Sequence, residues 1–173
     1  MDIKKMTRVV QDFPKPGIGF FDITTVLKDK DAFKQVIDTM SDYFKDHKFT
    51  KIAGTEARGF VYASALAYKM NKGLILVRKP GKLPADTYKY EYSLEYGSDA
   101  VEMHKDAVEN GENILVIDDL LATGGTIDAT CKLIEKAGGI VAGVGFMIEL
   151  DFLKGRDKID KYDVFSILNI SDE

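Results

Sequence analysis

Ile114-Leu115-Val116-Ile117-Asp118-Asp119-Leu120-Leu121-Ala122-Thr123-Gly124-Gly125-Thr126 carries an apolar strand straight into two acids, a short turn rich in Gly and Thr, and the start of a helix. The turn and the helix N-terminus present backbone N–H groups without partners inside the helix, with the positive end of the helix dipole behind them, so a phosphate can settle there. Gly124 and Gly125 let the backbone approach the anion closely, and the Thr123 and Thr126 hydroxyls can donate to it. Adjacent carboxylates repel a phosphate, so Asp118 and Asp119 make sense if they hold something beside it, such as sugar hydroxyls or a divalent metal. The expected ligand is a phosphorylated sugar. The stretch is not a Walker A loop, whose spacing and Lys-Ser/Thr pair are missing.

Outward from this stretch, strands and helices alternate. Residues 29–47 place Phe33, Val36, Ile37, Met40, Tyr43 and Phe44 at steps of three and four, one apolar helical face, with Asp29 or Asp31 available as N-cap. Residues 51–54 form a short strand ending at Gly54, and 59–70 (Phe60, Ala63, Leu66, Ala67, Met70) a helix. The nearly continuous apolar runs 73–78 and 113–117 suit strands covered on both faces. Residues 126–137 are helical in period and closed by Gly138-Gly139, and strands follow at 140–149 and 163–168. Such alternation predicts βαβ units and an α/β fold with a mostly parallel twisted sheet flanked by helices, whose ligands sit beyond the carboxyl ends of the strands. One stretch departs from this pattern. Tyr88, Tyr90, Tyr92 and Leu94 alternate with Lys89, Glu91, Ser93 and Glu95 before a turn at Gly97-Ser98-Asp99, so residues 80–104 read as a hairpin arm or long loop that projects from the sheet as a lid.

Composition narrows the function classes. The 173 residues, 45% of them hydrophobic, suit one domain with a core that needs no disulfide staples. With 24 Lys+Arg against 28 Asp+Glu, a net charge of −4 argues against broad binding to nucleic acid, so any anion must be held by a local cluster. The single Cys131 and the distant His47 and His104 match no zinc spacing, and they argue against a Ser-His-Asp enzyme. The charged N-terminus lacks the apolar run of a signal peptide, and no stretch approaches the ~18 apolar residues of a membrane span. The expected location is the cytoplasm, with no membrane partner.

The acid-containing stretch resembles the phosphoribosyl-pyrophosphate motif of the type I phosphoribosyltransferases. Five segments in order bring the resemblance to the adenine-specific branch of that family: Phe13 to Thr24 is similar to its N-terminal hood, Glu56-Ala57-Arg58-Gly59-Phe60 to its pyrophosphate loop, and Arg78 to Pro84 to its basic segment. Tyr92-Ser93-Leu94-Glu95-Tyr96-Gly97 is similar to its mobile catalytic loop, and Leu153-Lys154-Gly155-Arg156-Asp157-Lys158 to a stretch near its C-terminus. The resemblance implies a type I phosphoribosyltransferase fold in a single domain, with a hood over about residues 1–28, a core over about 29–173 and a mobile loop within 80–104. It also implies a purine-salvage reaction of adenine with phosphoribosyl pyrophosphate, giving AMP and pyrophosphate, by a homodimer.

On that pattern the 5′-phosphate falls to Ala122, Thr123, Gly124, Gly125 and Thr126, and the ribose hydroxyls to Asp118 and Asp119. The leaving pyrophosphate falls to Arg58, Arg78, Lys79 and Lys82 together with Mg²⁺, which the substrate itself holds through its pyrophosphate and ribose. Arg58 can offer a pyrophosphate its bidentate fork. Glu95 manages the proton at the purine, Glu91 nearby offers the same chemistry, and Tyr96 helps close the lid. Adenine is met at Ile18, Gly19 and Phe21, largely through backbone groups, while Phe20 is expected in the core. The family commonly carries Arg where Phe21 stands, so no role for that side chain transfers. Two alternatives remain open from the residues: a phosphoribosyltransferase for xanthine, guanine or orotate, or a regulator that senses the sugar phosphate and binds DNA, for which the chain has neither a basic face nor room for a helix-turn-helix extension.

Overall fold

The computed structural model describes residues 1–172. A short helix α1 (Ile3–Met6) precedes an antiparallel ribbon of β1 (Arg8–Val10) and β2 (Phe20–Asp22), in which Val9 lies opposite Phe21. After the one-turn helix α2 (Thr24–Leu27) comes α3 (Lys30–Phe44). Asp29 caps α3, accepting hydrogen bonds from the N–H groups of Asp31 at 3.0 Å and Ala32 at 2.9 Å. Val36, Ile37, Met40 and Phe44 of its expected face are buried. Tyr43 is not: it is 39% exposed, stacks on Phe165 at 4.1 Å and donates its hydroxyl to Asp163 at 2.8 Å, so its polar tip decides its place.

β3 (Lys51–Thr55), α4 (Gly59–Met70) and β4 (Gly73–Val77) form the first βαβ unit. A hairpin of β5 (Thr87–Ser93) and β6 (Ser98–His104) follows. Then come β7 (Asn113–Leu121), α5 (Gly125–Lys136), β8 (Ile140–Leu150), two short 3₁₀ turns and β9 (Val164–Ile170). The sheet order is β4-β3-β7-β8-β9, parallel throughout. Strand periodicity sorts its residues into two layers. Ile52, Leu115 and Ile117 pack toward α3 and α4, whereas Ala53, Ile114 and Val116 pack toward α5.

Two expectations need correction. The run at 73–78 is not covered on both faces: β4 is the edge strand, and Leu74 and Leu76 are 42% and 39% exposed. Nor does the 80–104 arm project free of the core. Val101 and Met103 are buried in the same cluster as α5, and Tyr88, Tyr90 and Tyr92 pack against it. Burial of one such side chain is worth roughly 1.5–3 kcal/mol, so the base of the hairpin is anchored while every residue of the tip from Leu94 to Gly97 is exposed.

The chain runs from β3 outward to β4 and then returns to place β7 on the opposite side of β3. That reversal opens a crevice beyond the carboxyl ends of β3 and β7, the position where open α/β sheets take their ligands.

Candidate active site

β7 is longer than the apolar run suggested, because its pairing with β8 continues through Asp118 to Leu121 and holds both acids within the strand. They face the crevice, a space of about 240 Å³ lined by residues 56–58, Lys79 and 118–127. Helix α4 begins so close to β7 that a Cβ on Gly59 would stand 2.7 Å from Asp118 Oδ1, which explains glycine there. Desolvation, and secondly the charge of Asp119, pushes the Asp118 carboxyl well above its ordinary value. Asp119 is also raised by burial, against the opposing charge of Arg58. Arg58 Nε lies 2.8 Å from Asp119 Oδ2, but the approach is out of line for a hydrogen bond, and that buried oxygen has no hydrogen-bond partner. Asp118 Oδ1 accepts from the Asp119 N–H at 2.8 Å, so the shortage of donors falls on Asp119, whose burial is costly for that reason.

The Gly/Thr turn follows directly. Gly124, at φ +81°, is the N-cap of α5, and no side chain caps the helix, so its first N–H groups point into the crevice without a side-chain acceptor. Thr126 Oγ1 lies 3.0 Å from the Tyr92 hydroxyl, tying the loop to the base of the hairpin.

Each cation of the crevice carries an acid partner. Besides its contact with Asp119, Arg58 donates to the Phe21 carbonyl at 3.3 Å and lies 4.8 Å over the Phe20 ring. Arg78 pairs with Glu56 at 3.3 Å, and the same carboxylate accepts from the Lys79 N–H at 2.7 Å. The Lys79 ammonium pairs with Asp99 and donates to Tyr92 at 3.3 Å. Desolvation depresses the Lys79 pKa, but the hydrogen bonds of Asp99 and Tyr92 outweigh it and the group is held above its ordinary value. An incoming polyanion would take over cations already ordered by these acids.

The β1–β2 ribbon bounds a second space, a cleft of about 510 Å³ lined by Val9, Gln11, Gly17, Ile18, Gly19, Phe21, Leu150, Phe152 and Leu153. Its apolar walls are set for a flat or greasy ligand. Phe20 is not a core residue: its half-buried ring meets Phe13 edge-on at 5.1 Å and lies under the Arg58 guanidinium. Phe21 is the one of the two that packs against the core.

The structure thus brings Arg58, Lys79, Asp118, Asp119 and residues 122–126 around one crevice, and Ile18, Gly19 and Phe21 around the neighbouring cleft. Arg78 is turned to Glu56, Lys82 lies on the exposed turn, and Glu95 and Tyr96 sit on the exposed hairpin tip, outside both linings. Sequence reasoning missed Glu56, Tyr92 and Asp99 as partners of the site. Only the period-two alternation of the tyrosines hinted at a shared face. Among the described residues no cluster of three or more His, Cys, Asp or Glu side chains could cage a metal ion. What the crevice offers a cation is the acid pair, with the unpartnered Asp119 oxygen, which suits an ion held chiefly by a ligand's own oxygens. No helix is long and apolar enough to cross a membrane among the described residues.

Comparison with known proteins places this geometry. The family model for the phosphoribosyl transferase domain matches residues 22–173. An adenine phosphoribosyltransferase of Solibacter usitatus is 54% identical over 96% of both chains, and one of Clostridium perfringens is 52% identical over 98% of both. The crystal structure of adenine phosphoribosyltransferase from Thermoanaerobacter pseudethanolicus superposes with a TM-score of 0.95 at 53% identity over 98% of each chain. That of the Saccharomyces cerevisiae enzyme, complexed with adenine and an imino-altritol bisphosphate, superposes at 0.90 with 36% identity, covering 96% of this chain and 97% of the other. The fold expectation is borne out, and the chain belongs to the adenine phosphoribosyltransferases of the phosphoribosyl transferase domain family.

Proposed function

We propose that this chain serves purine salvage by transferring the 5-phosphoribosyl group of phosphoribosyl pyrophosphate to adenine, giving AMP and pyrophosphate. The carrying observation is the convergence of two adjacent acids, one with an unpartnered buried oxygen, an open helix N-terminus and Arg58 and Lys79 in one crevice beside an apolar cleft. Relatives at 52–54% identity that bear the adenine-specific name favour adenine over xanthine, guanine or orotate.

In the reaction the bond from the anomeric carbon to the pyrophosphate oxygen breaks, a bond to an adenine ring nitrogen forms, and that nitrogen loses its proton. Charge therefore develops with opposite signs on the ribose and on the leaving group, and preorganised groups are best placed to stabilise both. Residues 122–126 hold the 5′-phosphate. Asp118 and Asp119 take the ribose hydroxyls, whose donors supply what the buried Asp119 oxygen lacks, and their negative charge favours the cationic sugar. Arg58 and Lys79 exchange their acid partners for the pyrophosphate, with Arg78 and Lys82 joining from the adjoining turn. Ile18, Gly19 and Phe21 meet the base through backbone groups and one apolar face. Glu95, carried inward when the tip closes, accepts the proton, and Tyr96 seals the lid so that water does not capture the sugar. Mg²⁺, bound through the substrate beside Asp118 and Asp119, would neutralise pyrophosphate charge. A homodimer in the cytoplasm belongs to the same reading.

Steady-state assays over a panel of bases test it. AMP formed from adenine and phosphoribosyl pyrophosphate, lost on chelation of Mg²⁺, is the expected result, while preference for another base would overturn it. Light scattering of the purified protein tests the dimer.

A further inference from the structure

The Leu153–Lys158 segment has no role in the reaction as described, yet it touches both ligand spaces. Leu150, Phe152 and Leu153 wall the hood cleft. Two residues on, Gly155 is buried against the back of the phosphate loop. A Cβ there would collide with the Ala122 carbonyl and stand 3.0 Å from the Gly124 nitrogen, and a Cβ on Gly124 would collide in turn with the Gly155 carbonyl. The two backbones meet with no side chain between them, and Lys154, at φ +53°, turns the chain into that contact.

An ion pair with a buried acid and a part-exposed arginine closes this turn at both ends. Glu149, the residue before Leu150 in β8, is 4% exposed. Arg156 follows Gly155 and reaches back with Nε 2.8 Å from Glu149 Oε1 and a terminal nitrogen on Oε2. Its other terminal nitrogen donates to the Val164 carbonyl at 2.9 Å, and the Ser166 hydroxyl donates to Glu149 Oε2 at 2.6 Å. A bidentate Arg–carboxylate pair fixes orientation as well as distance. Its direct effect is on the turn between its two members.

We propose that Glu149 and Arg156 are positioning residues that press Gly155 against residues 122–124 and so set the phosphate loop at its working distance from the ribose acids. The proposal rests on the phosphate reading of that loop. Loop N–H groups stabilise a phosphate in proportion to their alignment, and a displacement of about 1 Å can cost ~10²-fold. The same strut holds Leu153 at the base cleft, so one pair keeps the phosphate and base subsites in register.

The test is titration calorimetry of wild type, Gly155→Ala and Arg156→Lys with ribose 5-phosphate and, separately, with pyrophosphate, alongside thermal melts. Gly155→Ala pushes directly on the loop, and Arg156→Lys keeps the charge but loses the second bond. Ribose 5-phosphate affinity should fall by about tenfold in the first variant and about threefold in the second, with pyrophosphate affinity within about twofold of wild type. If Gly155→Ala does not fold, Arg156→Lys decides by the same ratio. A purely structural pair would lower the melting temperature and weaken both ligands together, or change neither, and either result overturns the proposal. A wild-type protein that does not bind ribose 5-phosphate overturns the phosphate reading beneath it.

Discussion

At the carboxyl end of β7, Asp119 lies against Arg58 with one oxygen buried and without a hydrogen bond, while Asp118 beside it accepts from the Asp119 N–H at 2.8 Å. One strand over, at the end of β8, Glu149 is just as buried but receives Arg156 twice, Ser166 and Asn169. Burial pushes all three carboxyls upward. Only at Glu149 do the donors outweigh it, Arg156 first and Ser166 next, so that group lies below its ordinary value while the aspartates lie above theirs. A fully bonded buried acid is part of the frame. An acid pair with one unpartnered buried oxygen, at the switch point of the sheet, is the mark of a candidate ligand site.

The largest expected effect breaks the comparison on the ligand side. Asp119→Asn should lower kcat/KM by about 10³-fold in a steady-state AMP assay, the scale of removing one aligned electrostatic group. The third acid, Glu95 on the exposed tip, belongs to neither class. Glu95→Ala should lower kcat by about 10²-fold and leave the calorimetric affinity for phosphoribosyl pyrophosphate within about twofold, whereas a large loss of affinity with normal turnover would contradict its assignment. On the frame side, Arg156→Ala strands the Glu149 charge and should cost about 3 kcal/mol in urea unfolding, the low end for a broken buried pair because Arg156 is 41% exposed. A cost under about 1 kcal/mol would put Glu149 with the aspartates instead.

The pH dependence separates the two classes more finely. Glu149 has a depressed folded pKa, so its contribution to stability is present above the ordinary 4.5 and fades as pH falls through the folded value. Asp118 has the opposite sign: its raised folded pKa favours the fold below the ordinary 3.8, and that contribution is lost as pH climbs through the raised value. Unfolding profiles should therefore flatten on the acid side in Glu149→Gln and above pH 4 in Asp118→Asn, each against wild type.

The ligand side of this comparison was legible in the sequence because its signals are local. Ile114 to Ile117, two acids and a Gly/Thr turn lie within thirteen residues, and helix and strand periods around them define the parallel sheet. The long-range pairings on both sides were not. Lys79 finds Glu56 and Asp99 at separations of 23 and 20 residues, and no local pattern pairs them. Phe20 and Phe21 are adjacent and chemically alike, and only the β1–β2 register decides which packs inward and which lies under Arg58. The edge position of β4 likewise depends on sheet order rather than on its own apolar run. Gly155 gave no signal in isolation, since its contact is with the backbone of Ala122 and Gly124, more than thirty residues earlier.

The most direct measurement is the melting temperature of wild type and Asp118→Asn, each with and without phosphoribosyl pyrophosphate. A pair of acids kept for the ribose predicts that Asp118→Asn melts higher than wild type when ligand-free, by the equivalent of about 0.5–2 kcal/mol, and loses most of the ligand-induced rise. A variant that melts lower than wild type on its own, or that keeps the full rise, would contradict it.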